Sequence, residues 1–138
     1  MSSKRIKIFY WGRVVFWYGT IYLFSSMPNA KQRGPNFETF LGLLDFLSRK
    51  FAHLTEYALL MIFLYLAISK TFSEYKKSHF LSAFFLVIVL ASLDEWHQTF
   101  VWGRTGTEMD VFIDMIGALM GFYFIVLRTA LHAEKKNN

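Results

Sequence analysis

Between Asp94 and Gly121 the chain carries Asp94, Glu95, Gln98, Arg104, Asp110, Asp114, Gly117 and Gly121, with apolar sequence on both sides. Upstream, Lys50, His53, Glu56 and Tyr57 recur at i, i+3, i+6 and i+7, which is one stripe of a helix. Carboxylates beside an imidazole can move protons or bind a divalent metal. An arginine can hold a phosphate through two parallel hydrogen bonds, or neutralise nearby acids as an internal clamp. Polar groups at the edge of hydrocarbon are expensive, so such a cluster is a functional-site hypothesis by default.

The candidates for acid–base or metal-binding work are His53, Glu56, Asp94 and Glu95. The candidates for ligand binding are those residues with Lys50, Tyr57, Gln98, Arg104, Asp110 and Asp114. His53-x-x-Glu56 can place two ligands on one helix face, which suits a divalent metal, but that spacing is common and names no cofactor. His97 lies beside the cluster. Bland readings stand next to these: His53 as a structural hydrogen bonder, and Arg104 as the clamp on Asp94, Asp110 or Asp114. No nucleotide-binding glycine loop, nucleophile elbow or His-Glu-x-x-His zinc motif is present. Nothing activates Ser25 or Ser26 at a recognisable spacing.

The elements that position these groups read as membrane spans. The chain has 138 residues, enough for one domain. Apolar types make up 54%, with 16 Phe, and charged residues only 18%, against about 25% in soluble domains. The absence of cysteine excludes disulfides and thiolate metal sites. The net charge of +5 comes from residues set between apolar runs. They form no basic stripe on a soluble helix, so a lipid bilayer is the expected partner rather than nucleic acid. Lys4, Arg5 and Lys7 resemble the start of a secretion signal. The segment after them carries Arg13 and lacks a small-residue cleavage site, so it reads as a retained first span.

The whole chain, 1–138, is expected to form one all-α membrane domain. Four spans are expected at about 10–27, 51–69, 79–96 and 111–127. The uncharged runs within them are 13 to 16 residues long, only about 20–24 Å of helix against a ~30 Å hydrocarbon core. The helices must therefore continue through His53, Glu56, Asp94, Glu95 and Asp114, with these side chains facing the bundle. Between the first two spans, Phe37, Phe40, Leu41, Leu44, Leu47 and Phe51 recur at helical spacing. They predict an amphipathic helix over about 36–50 lying in the interface, with Asn36 as its N-cap; a lid helix packed on the spans fits equally.

Lysine and arginine counts give an orientation. Ten lie in the N-terminus, the second loop and the C-terminus, and five in the first and third loops. The richer side should be cytoplasmic, with both termini inside. The polar ends of the helices then all face outward, near Ser26 and Pro28. Gly117-x-x-x-Gly121 shares its stripe with Asp110 and Asp114, so this acidic face should point at a neighbouring helix that approaches closely. Trp11, Trp17, Trp96 and Trp102 read as interface anchors.

At these residues the chain resembles the VanZ-like family of small membrane proteins. The matching elements are Ser26-x-Pro28, Lys50-x-x-His53-x-x-Glu56-Tyr57-Ala58-x-Leu60, Asp94-Glu95-x-x-Gln98, Gly103-Arg104-Thr105, Asp110, Asp114-x-x-Gly117 and Gly121. Their order and spacing span about Trp11 to Leu127. The family often has an acid where this chain has Arg49, so an acid–lysine pair with Lys50 does not carry over; it often has an amide where this chain has Asp114, which adds a negative charge at the centre of the cluster. The resemblance implies a multi-span helical protein of the bacterial cytoplasmic membrane. It also implies a link to low-level resistance against the glycopeptide teicoplanin. It supplies no mechanism. With the residues above, the expected function is an envelope role through an outward-facing polar pocket that binds an envelope lipid headgroup or a glycopeptide-related ligand. An enzyme acting on a lipid phosphate and a structural or partner-binding module stay open beside it.

Overall fold

The computed structural model of the chain describes residues 3–28, 40–72 and 76–137. They form four helices, α1 (Ser3–Ser25), α2 (Phe40–Thr71), α3 (Lys76–Gln98) and α4 (Glu108–Asn137), and no strand occurs among the described residues. Asn36, Phe37 and the expected cap of the interfacial helix lie outside them.

Trp11 Nε1 on α1 donates to Thr71 Oγ1 at the far end of α2, 2.9 Å away. Ser25, at the other end of α1, reaches Asp94 near the end of α3, and His53 of α2 reaches Asp114 early in α4. The helices therefore alternate up and down. α2 is the central element: it packs most extensively on α4 and also on α1 and α3, whereas α1 and α4 do not meet among the described residues. The core runs along α2 through Tyr57, Leu60, Met61, Leu64 and Ala67, and Ala83, Val87 and Ala91 bring α3 against it.

Three of the helices are long and apolar enough to cross a membrane: Phe40–Thr71 (mean hydropathy 1.7), Ser78–Gln98 (1.5) and Glu108–Lys135 (1.9). Only 28–33% of their apolar stretches is buried. Phe85, Phe112, Phe124 and Tyr123 stand on the exposed surface. In water so much contiguous apolar surface would aggregate; in a bilayer it faces lipid. α1 has the length, at 23 residues, but carries Arg13 and relies on Tyr10, Trp11, Trp17, Tyr18 and Tyr22, whose polar atoms lower its hydropathy.

The expected break between an interfacial helix ending near residue 50 and a span starting near 51 is absent. α2 runs unbroken for 32 residues. Ser48-Arg49-Lys50-Phe51-Ala52-His53 contains no Gly or Pro to interrupt it, and the apolar spacing of Leu44, Leu47 and Phe51 continues across the boundary. At 1.5 Å per residue α2 is about 48 Å long, more than a ~30 Å hydrocarbon core. One rigid rod therefore carries Lys50, His53, Glu56 and Tyr57 together.

Gly117 and Gly121 make the tight seam between α4 and α2. A Cβ on Gly117 would overlap the Leu54 carbonyl, and one on Gly121 the Ala58 carbonyl; both would lie 3.0 Å from the Cα of that residue. Only glycine permits this approach, and it sets Asp114 directly against His53.

Candidate functional site

The end of the bundle formed by Ser25 of α1, Lys50 to Tyr57 of α2, Asp94 to Gln98 of α3 and Asp110 to Asp114 of α4 holds a buried polar layer. Asp94, Glu95, Gln98, Asp110 and Asp114 are all buried, Asp114 completely. On α3, Asp94 Oδ2 accepts from Ser25 Oγ at 2.8 Å and from Gln98 Nε2 at 2.9 Å. The same Gln98 Nε2 donates to Glu95 Oε1 at 3.0 Å, so one amide joins two adjacent acids. His53 Nδ1 lies 3.0 Å from Asp114 Oδ1 and 3.9 Å from Glu95 Oε1. A single imidazole thus stands between acids from two other helices.

The remaining donors come from the turn before α4. Thr107 N donates to Glu95 Oε2 at 3.0 Å. Thr107 Oγ1 donates to Asp110 Oδ2 at 2.9 Å and accepts from Asp110 N at 3.2 Å, the arrangement of an N-cap followed three residues later by an acid. Lys50 Nζ pairs with Asp110 Oδ1. Gly106 lets this turn lie on α3, since a Cβ there would overlap the Glu95 carbonyl. Thr107 and Gly106 are absent from the sequence-based set. Thr107-x-x-Asp110 was the signal that could have found the cap; nothing local announces that its N–H reaches Glu95.

Arg104 behaves otherwise than as the expected clamp on the acids. Its Nε donates to Met27 O at 3.2 Å and its Nη2 to Phe24 O at 2.9 Å, so it closes the carbonyl end of α1. The turn brings it there: Arg104 N bonds Val101 O, and Gly103 supplies a positive φ of 75°. Ser26 and His97 form a separate contact, Ser26 Oγ to His97 Nε2 at 3.0 Å, with Tyr22 stacked on the imidazole at 4.5 Å. Trp17 Nε1 donates to Glu56 O at 2.9 Å. Trp11 and Trp17 thus pin α1 to α2, while Trp96 and Trp102 remain exposed. The Glu56 carboxylate has no hydrogen-bond or ion-pair partner among the described residues. Pro28 follows α1 and makes no polar contact with the cluster among the described residues.

Two cavities adjoin the layer. One, of about 320 Å³, is lined by Phe24, Ser25, Arg49, Ala52, His53, Glu56 and Arg104. The other, of about 210 Å³, is lined by Lys50, Gln98, Thr105, Thr107 and Asp110 together with Arg49, His53, Arg104 and Phe46. Arg49, His53 and Arg104 are common to both. Of the sequence-predicted site residues, Asp94, Glu95, Asp114 and Tyr57 are not in the walls of these cavities. Tyr57 is wholly buried and its hydroxyl has no partner among the described residues.

A family profile described as VanZ/LLP1 matches residues 9–129. The chain belongs to the VanZ/LLP1 family. The match takes in every residue of the polar layer, from Ser25 to Asp114, and both seam glycines. With the apolar helices it makes the chain a multi-pass membrane protein of the VanZ kind. No curated protein and no solved structure matches it.

Proposed function

We propose that this VanZ-family protein binds the anionic headgroup of an envelope lipid in the paired cavities at one end of its bundle. One observation carries the reading: two adjoining cavities share Arg49, His53 and Arg104 in their walls, at the depth where α2 leaves its apolar stretch. Guanidinium groups match a phosphate in a planar, two-point geometry.

In this reading α1 is a fourth span and the chain forms one domain across the bacterial cytoplasmic membrane. Both termini are cytoplasmic, as the ten-to-five lysine and arginine bias supports, and the cavities open outward. A headgroup site on that face lies where a lipid-tailed glycopeptide such as teicoplanin meets the membrane. Binding or presenting the lipid there would alter that encounter, which gives the family's link to tolerance a physical route.

The His53–Asp114 pair, at 3.0 Å, favours a second reading: an enzyme on the same lipid phosphate, with the imidazole as the proton carrier. The bound lipid then leaves chemically changed.

The test is thermal unfolding of the detergent-purified protein with added lipid. A ligand bound to the folded state raises Tm by mass action. Phosphatidylglycerol should raise it by several degrees, phosphatidylcholine should not, and Arg104→Gln should lose the difference. Equal shifts from both lipids in the wild type would remove the headgroup reading.

A further inference from the structure

We propose that His53, Glu95 and Asp114 hold a divalent cation beside the basic cavities. One donor atom from each lies within 4.8 Å of the other two. His53 Nδ1 stands 3.0 Å from Asp114 Oδ1 and 3.9 Å from Glu95 Oε1. Ligands bonded at roughly 2.0–2.2 Å to one ion stand about 3.0–3.5 Å apart. The His53–Asp114 edge already fits that spacing, and the His53–Glu95 edge is slightly longer. The donors come from α2, α3 and α4, so a cation would tie together the three helices that surround the site.

Charge balance points the same way. Lys50 is paired with Asp110, and Arg104 turns two of its N–H groups to the carbonyls of Met27 and Phe24 rather than to an acid of the layer. Asp94, Glu95 and Asp114 form no ion pair with a lysine or arginine among the described residues. A buried charge without a partner is strongly unfavourable.

An independent observation concerns the unpaired oxygens. Asp114 is 0% exposed, and its second oxygen, Oδ2, is buried with no hydrogen bond among the described residues. Asp94 Oδ1 and the Tyr57 hydroxyl are in the same condition. Asp114 thus gives one oxygen to His53 and keeps a second, buried oxygen without a hydrogen bond among the described residues, free to bind a cation.

The donor set selects the ion. Two carboxylates and one imidazole, with no thiolate anywhere in the chain, suit Zn²⁺ or Mn²⁺ rather than a soft ion such as Cu⁺. The surroundings already orient the ligands: Gln98 and Thr107 N each donate to one oxygen of Glu95, as outer partners of metal ligands do. Three protein ligands leave positions open. His53 lines both cavities, so an anion bound between Arg49 and Arg104 would complete the coordination. The inference rests on the headgroup reading for that last step only, not for cation binding.

The test strips the purified protein with chelator, reloads it with Mn²⁺ or Zn²⁺ alone, and measures metal content after desalting. The wild type should take up about one ion per chain, and Asp114→Asn and His53→Gln should bind at least tenfold more weakly. Because either variant can fail to fold, the Mn²⁺-loaded wild type is also examined by pulsed electron paramagnetic resonance. A nitrogen coupling from one imidazole is expected. A wild type that stays metal-free, uptake unchanged in both variants, or a manganese signal without nitrogen coupling would each overturn the proposal. Arg104→Gln should keep the ion while losing the preference for anionic lipid. A wild type that binds the ion but shows no lipid preference would sink the headgroup reading and leave the cation site standing.

Discussion

Lys50 and Arg104 are both cations at the polar end of the bundle, yet they answer different partners. Lys50 neutralises Asp110 across α2 and α4, whereas Arg104 satisfies backbone carbonyls of α1. Double-mutant cycles separate the two roles. Lys50→Met with Asp110→Asn should couple by more than about 0.5 kcal/mol in unfolding stability, since each single change leaves a partly buried charge unanswered. Arg104→Ala with Asp94→Asn, Glu95→Gln or Asp110→Asn should be additive within roughly 0.5 kcal/mol. Coupling of Arg104 to any of these acids above that level would restore the clamp. Sequence spacing alone favours the clamp, because it places Arg104 between acids on both sides. It carries no information on where the turn through Gly103 sends the side chain.

At the scale of the helices, the polar stripes were legible and their joints were not. Helical period sets Lys50, His53 and Glu56 on one face and aligns Asp114 with Gly117 and Gly121; those faces do meet. Periodicity cannot say which donor on one helix meets which acceptor on another. Ser25 on Asp94, and Thr107 N on Glu95, follow from tertiary placement alone. The expected interfacial helix over about 36–50 and the span from about 51 share one helix over their described residues. The structure answers Lys50 in place, and the helix passes through. The glycine seam gives the sharpest test at this scale. Gly121→Leu would force side-chain atoms into the Ala58 carbonyl and push α4 from α2. It should cost about 1–3 kcal/mol of stability, as overpacking does, and weaken lipid binding at the same time, because α4 also carries Asp110 and Asp114. Wild-type unfolding and lipid binding together would mean that the seam does not set the site.

For the whole molecule, the two ends of the bundle differ in kind. One end gathers the acids, and the other holds Trp11 on Thr71 and the aromatic group of Tyr65, Phe80 and Phe122. Such polarity implies that the protein sits in the membrane with one defined orientation. The chain has no cysteine, so single introduced thiols report without background. Glu108→Cys should react with an impermeant reagent on intact cells, and Lys70→Cys and His132→Cys should not; the opposite pattern would invert the topology and turn the cavities toward the cytoplasm.

The central claim is that the buried polar layer and its basic cavities are a ligand site rather than a lock that merely holds four helices together. Native mass spectrometry of the protein extracted gently from bacterial membranes tests it most directly. The account predicts a wild-type chain carrying one anionic phospholipid, and an Arg104→Gln chain that is folded but bare. Bare wild-type protein, under conditions where a control membrane protein keeps its lipid, would contradict it.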